Sequence, residues 1–351
     1  MGMNSKVLLA FVLGAVALGV FEFFTHGGSL LYCLMFFVAV SQGPITIMAA
    51  ADIVSAKWHH PYKSVMFSMR HMNLFLAIAF AIFFGISMSN GSFEEIFVNW
   101  MHGHQTAWLN PEFFGIRNVV LLLLAWLVSN KFAKTSLTNG KGRTLWALAW
   151  VFTFVIGQTI YAFDWVMSLQ YPWISTLFGA YFFVEAFYSG LALAAVFTFF
   201  KYQHFIENYS EKSFKKSQMD MMTLFFGFSV FWAYQFFSQY IVIWYGNIPE
   251  EVAFIKQRLD RFSGLLYMVI VIMFVIPFIT LLFRSNKSNP KFVMGIGFLV
   301  WSGILLERVF MLAPHADLNP VITLVEFLIM SGVFYWVIKN QNDPLPQSVS
   351  S

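Results

Sequence analysis

Charge and sulfur are what this chain has least of. Only 11% of its 351 residues are Asp, Glu, Lys or Arg, while 59% are hydrophobic; soluble domains carry ~25% charged residues. That deficit excludes a water-soluble fold and points to a polytopic membrane protein. The single cysteine, Cys33, lies within an apolar run. One thiol makes no disulfide framework, no C-x-x-C-H haem attachment and no iron–sulfur ligand set. The histidines are no better placed for metal chemistry: His26, His59, His60, His102, His104, His204 and His315 fall in loops or at helix ends, and His71 opens a helix near one surface. No two of them reach mid-membrane depth, where a b-type haem needs its ligands, so the chain is expected to hold no redox centre of its own. Its net charge of +4 is spread over loops and calls for no nucleic acid.

What the chain has instead is apolar sequence in bilayer-sized lengths. About 20 apolar residues cross the hydrocarbon core. Charged and turn-rich interruptions leave ten such spans: 7–24, 30–55, 65–88, 115–129, 144–168, 174–200, 219–245, 262–283, 292–312 and 320–338. This predicts an all-α polytopic fold in one helical domain over residues 1–340, with its core bundles over 30–312 and a cytoplasmic tail at 341–351. The first span follows only Lys6 and precedes no small-residue cleavage site, so it reads as a retained helix.

Lys and Arg in short loops resist translocation. Lys6, Lys57, Lys63, Lys131, Lys134, Lys141, Arg143, Lys201, Lys212, Lys215, Lys216, Arg284, Lys287, Lys291 and Lys339 gather on one side. The other side has Lys256, Arg258 and Arg261, offset by acids. The bias predicts that both termini are cytoplasmic. Two outer segments, 92–111 and 247–261, exceed simple turns, and the first mixes Phe, Trp and acids in a way that suits a short interfacial helix.

Ionisable groups inside the spans are the functional candidates, because a carboxylate in hydrocarbon costs at least ~2.5 kcal/mol and usually faces a bundle interior. In the fifth span Gln158, Tyr161 and Asp164 recur at i+3 on one stripe. Asp164 lies ~31 Å along the helix from Arg143, at the outer end. It reads either as an anchor for the next helix start or as a contact for a proton or a quinone headgroup. In the sixth span Tyr181, Glu185 and Tyr188 share a face, with Glu185 ~16 Å in from Ile174 and so near the midplane. Burial there favours the neutral acid unless a cation is close. Glu185 is thus either a proton relay with tyrosines in line or structural glue. Gln235, Ser238 and Gln239, followed by Trp244, make an amide-rich stripe that serves either interhelical hydrogen bonds or a quinone headgroup. Glu307, Arg308 and Glu326 share the outer depth of Asp164, which suggests one outer polar cluster. Asp52, Arg70, His71 and Asp220 read as anchors at the cytoplasmic helix ends, and Gln42, Gly43 and Pro44 as a kink.

Three longer segments carry a resemblance. FDWVMSL (163–169), FFSQYIVIWYGNIPEE (236–251) and ERVFMLAP (307–314) resemble the signature segments of the ActF-type, NrfD-like membrane subunit of bacterial alternative complex III, a quinol:electron-acceptor oxidoreductase. The likeness covers residues 158–314, while the first 140 residues agree mainly in topology. It implies ten helices with two four-helix bundles at the centre, in the bacterial inner membrane. It also implies a cofactor-free role in assembly and proton translocation, beside an NrfD-like sister subunit holding the quinol site, an iron–sulfur protein, haem c subunits and a terminal oxidase. Residue by residue it singles out Asp164, the segment 238–245, and Glu307 with Arg308; Gln170 stands where the pattern has an acid.

The expected proton path is therefore Asp164, Glu185, Tyr161, Tyr181, Tyr188, Glu307, Arg308 and Glu326. The expected quinone-facing residues are Gln235, Ser238, Gln239 and Trp244. Quinol and membrane lipids are the small molecules expected. A quinone-binding subunit proper and a stand-alone secondary transporter remain open; only the Pro44 and Pro277 interruptions suit the broken helices of a transporter.

Overall fold

The computed structural model describes residues 3–25, 28–316 and 318–340. His26 and the expected tail at 341–351 lie outside the described residues. Among those described there is no strand, and ten helices are long and apolar enough to cross a membrane. These are α1 (Ser5–Phe24), α2 (Ser29–Ile53), α3 (His60–Asn90), α4 (Pro111–Leu137), α5 (Arg143–Trp165), α6 (Leu177–Phe200), α7 (Glu211–Gly246), α8 (Pro249–Leu281), α9 (Pro290–Leu312) and α10 (Pro320–Asn340). Each predicted span falls on one of them.

Two boundaries move for identifiable reasons. The fourth span extends well beyond 115–129: Asn110 caps the helix with Pro111 as its first residue, and the more polar stretch 130–137 continues it past the apolar run. The segment 247–261 is no loop: Pro249 opens a helix as its first residue, and a non-helical backbone at Phe262 marks the bend into the membrane-length part of α8. The expected helix in 92–111 appears as two short ones, Ser92–Ile96 and Val98–Met101, pinned by buried Phe93, Ile96, Phe97 and Trp100.

The helices pack as two four-membered rings, α2–α3–α4–α5 and α6–α7–α8–α9, joined along α2 and α6. α1 and α10 pair on the outside of the first ring. Asn4 Nδ2 donates to Asn340 O at 3.2 Å and Trp336 Nε1 to Lys6 O at 3.0 Å, so α1 begins and α10 ends on the same face. We call it the terminal face.

α2 is predominantly apolar and is buried on every side, its polar Ser41, Gln42, Thr46 and Asp52 included. Its contact with α6 is backbone on backbone. A Cβ on Gly43 would lie 1.9 Å from Ala186 O, and one on Gly190 would lie 2.4 Å from Gly43 C and 2.5 Å from Pro44 N. Small residues permit such close crossings in membranes. In α8, Pro277 cannot donate to Met273 O, and the helix widens into a π segment, Val271–Val275. The Tyr188 hydroxyl of α6 supplies the missing donor at 3.1 Å. On the terminal face Asp52 is buried rather than interfacial, accepting from Lys63 Nζ (2.7 Å) and Ser136 Oγ (2.5 Å), with His59 Nε2 at 2.9 Å. Lys63, counted above as a loop cation, is thus an internal tie between α2 and α3.

Gly43→Val and Gly190→Val should each overpack the seam and destabilise by ~1–3 kcal/mol or more. Gly85→Ala, where nothing lies within 4 Å of the new Cβ, should not. Thermal unfolding in detergent measures the difference.

Candidate functional site

The face opposite the termini collects most of the flagged side chains, and the structure sorts them by ring. In the first ring Asp164 closes α5 and meets Arg117, nearly two turns into α4. Arg117 Nε donates to Asp164 Oδ2 at 2.7 Å and Nη2 to Oδ1 at 2.6 Å; Asn118 Nδ2 adds a third bond at 2.7 Å. The remaining guanidinium nitrogen donates to Trp108 O at 2.7 Å, and the group lies over the Trp108 ring at 4.3 Å. Both carboxylate oxygens and all three guanidinium nitrogens are engaged, which is the geometry of an anchor. It ties down α4 and the loop before it rather than the start of the next helix. Sequence reading missed Arg117. The available signal was an unmatched cation at the outer end of α4, level with the unmatched anion at the outer end of the next, antiparallel helix.

Inward from Asp164 runs a column of amides. Gln158 Nε2 donates to Gln42 Oε1 (3.0 Å), Gln42 Nε2 to Asn73 Oδ1 (3.1 Å), and Asn73 Nδ2 to Arg70 O (3.3 Å). Tyr161 sits beside Gln42 without a well-aligned bond. These groups join α2, α3 and α5, and none of the amides titrates.

The second ring is different. Arg308 Nη2 of α9 is 2.8 Å from Glu185 Oε1 of α6, and its guanidinium lies over Phe182 at 4.5 Å. This is the close cation on which the charge of Glu185 depends. The pair is open: neither Glu185 oxygen lies in an aligned hydrogen bond, and Arg308 Nε has no partner. Both carboxyl oxygens of the adjoining Glu307 are also buried without partners. Glu307 lines a cavity of about 70 Å³ together with Tyr181, Gln239, Phe178, Phe254 and Leu266. The Tyr181 hydroxyl and Gln239 Nε2 are buried and unpartnered as well, while Gln239 Oε1 accepts from Ser175 Oγ at 2.8 Å. A buried water needs ~10–15 Å³ and two or more polar partners; the chamber has the room, but its walls are apolar and the oxygens of Glu307, the Tyr181 hydroxyl and Gln239 Nε2 are turned away from its surface. Tyr240, Ile255 and Leu259 line both the chamber and a surface groove of about 230 Å³ that carries Trp244, Asn247, Lys256 and Asp260.

Of the residues expected to face a quinone, Gln239 lines the chamber, Trp244 lines the outer groove, Gln235 is buried with its carbonyl unpartnered, and Ser238 is half-buried. Of the expected tyrosines, Tyr188 is committed to Met273 O. The single outer cluster resolves into three groups, because equal depth does not mean the same ring. Glu326 joins neither Asp164 nor Arg308; it meets Glu22 of α1, with Ser29 beside it.

Between the rings, Gln170 Oε1 accepts from Arg258 Nη1 at 3.3 Å and from His315 Nε2 at 2.6 Å. Burial, and then the charge of Arg258, push His315 down to about 4, so its ring is neutral at physiological pH and donates from Nε2. Arg258, counted as an outer surface charge, is instead fully buried, stacked on Phe254 at 3.8 Å and donating to Met311 O at 2.8 Å. Gln170 thus stands between two basic groups, where an acid would form an ion pair with Arg258.

The chain matches no family model and no curated protein, which leaves this geometry to carry the functional reading.

Arg117→Ala should strand the Asp164 charge and cost ~3–5 kcal/mol, whereas Arg117→Met combined with Asp164→Leu should regain most of it. Chemical or thermal denaturation of the purified variants reads both.

Proposed function

We propose that this chain is a cofactor-free membrane subunit of a respiratory quinol-oxidising complex of the alternative complex III type, and that the carboxyls of its second ring carry protons. The resemblance of 163–169, 236–251 and 307–314 supports the first part. The second part rests on Glu307, a buried carboxyl with two free oxygens, which lies behind the apolar wall of a small chamber and one residue from the Glu185–Arg308 pair. Glu307 exchanges a proton when its carboxyl turns through the apolar wall to meet water admitted to the chamber. While Glu307 is neutral, Arg308 belongs to Glu185 alone. Once Glu307 is ionised it competes for the same guanidinium, weakens that pair and favours proton uptake by Glu185. One arginine thereby couples the charge states of two acids. Asp164, with every oxygen engaged, serves assembly.

On this reading the terminal face is cytoplasmic, as the loop lysines favour, in the bacterial inner membrane. The iron–sulfur, haem c and NrfD-like sister subunits, with a terminal oxidase, are the partners. A second reading, a quinone-binding subunit, is favoured by Gln239 and Glu307 lining one chamber. It requires the wall of Tyr240, Ile255 and Leu259 to move, because about 70 Å³ is too small for a quinone ring.

Purification in mild detergent should yield the chain together with iron–sulfur and haem c proteins. A stable, solitary, substrate-binding monomer would contradict the complex. Within the complex, Glu307→Gln and Glu185→Gln should lower the proton-to-electron ratio with subunit content unchanged. Unaltered ratios in both variants would make these acids structural.

A further inference from the structure

α1 and α10 do not close on each other along their whole length. Between them runs a groove of about 340 Å³, lined by Leu13, Gly14, Ala17, Leu328 and Gly332 and bounded at the terminal face by Lys6. The helices touch where Gly14 meets Val333, but nothing lies within 4 Å of a Cβ built on Gly332, so that glycine borders open space. The slot follows α1 from Lys6 to Ala17, ~16 Å of helix. That is about half of a ~30 Å hydrocarbon core. It therefore serves one leaflet.

The mouth is cationic and aromatic. Lys6 and Lys339 are both exposed there. Lys339 Nζ lies 5.9 Å from the ring centres of Tyr335 and Trp336, and Trp336 lines the groove while donating to Lys6 O. The only acids on these two helices, Glu22 and Glu326, lie towards the opposite face. A transmembrane helix is ~10 Å across and would need a contact running the full depth of the bilayer. A single acyl chain fits a narrow slot that ends at the midplane, and a phosphate fits two lysines without a competing carboxylate.

We propose that this groove binds one anionic phospholipid of the terminal-face leaflet, its phosphate at Lys6 and Lys339 and one acyl chain between α1 and α10. The site would hold the outer helix pair together independently of what the second ring does.

The test is a titration of the purified protein, in neutral detergent, with phosphatidylglycerol or with phosphatidylcholine of the same chains, counting bound lipids by native mass spectrometry. One tightly held phosphatidylglycerol is expected, with phosphatidylcholine bound much more weakly. Each lysine near a membrane surface contributes roughly five-fold in affinity for anionic lipid. Lys6→Gln with Lys339→Gln should therefore weaken phosphatidylglycerol at least ten-fold, and Lys6→Arg should preserve it. Gly332→Leu fills the slot and should expel the lipid although both lysines remain. Gly19→Leu, which enters open space outside the groove, should not. Equal binding of the two lipids, or full retention of phosphatidylglycerol by Gly332→Leu, would overturn the proposal. So would Gly332→Leu releasing a co-purifying polypeptide in place of a lipid, since the slot would then receive a partner's helix.

Discussion

The molecule turns on one contact, the backbone crossing of α2 and α6 at Gly43 and Gly190. Because neither residue carries a Cβ, the two most buried helices approach closely enough to weld two four-membered rings into one body. The polar systems are placed by the same crossing. Gln42, the middle of the amide column, adjoins Gly43, and Glu185 lies five residues before Gly190. Each ring therefore has its polar chain near the seam, on opposite sides of a dry helix contact. The two systems are neighbours in space without being connected.

They also differ in kind. A buried ion pair stabilises only when its geometry and remaining hydrogen bonds are complete. Asp164 with Arg117 and Asn118 meets that condition, as does Asp52 with Lys63, His59 and Ser136. Glu185, Arg308 and Glu307 do not: three ionisable groups share too few partners, and a small chamber lies beside them. Leaving buried polar groups unsatisfied costs stability, and in the proposed function that cost is what lets this group change state. In the proposed function that contrast, more than the presence of carboxyls in a membrane, separates the anchors from the proton carriers.

Much of this was legible beforehand. Span number and the shared face of the two ends follow from hydropathy, since each backbone polar group in lipid must be satisfied within a helix. Asp164 and Glu185 stood out because charge in hydrocarbon is costly. Partnership was not legible. Helical spacing tells which residues share a face but not which helix that face meets, and Arg117 finds Asp164 across 47 positions of sequence. Counting lysines and arginines as loop markers hid the buried roles of Arg258 and Lys63. Tyr188 looked like a relay member until the carbonyl freed by Pro277 explained its hydroxyl. Glu326 shared the depth of Arg308 but not its ring, and its partner Glu22 drew no notice at the end of an exposed helix.

The central claim is that the open group of the second ring changes protonation during turnover while the closed pair of the first does not. Infrared difference spectroscopy of the working complex tests it most directly. A carboxylic-acid C=O signal should accompany turnover, disappear or shift in Glu307→Gln, be altered in Glu185→Gln, and persist in Asp164→Asn. A signal untouched by the first two substitutions but lost in the third would contradict the account.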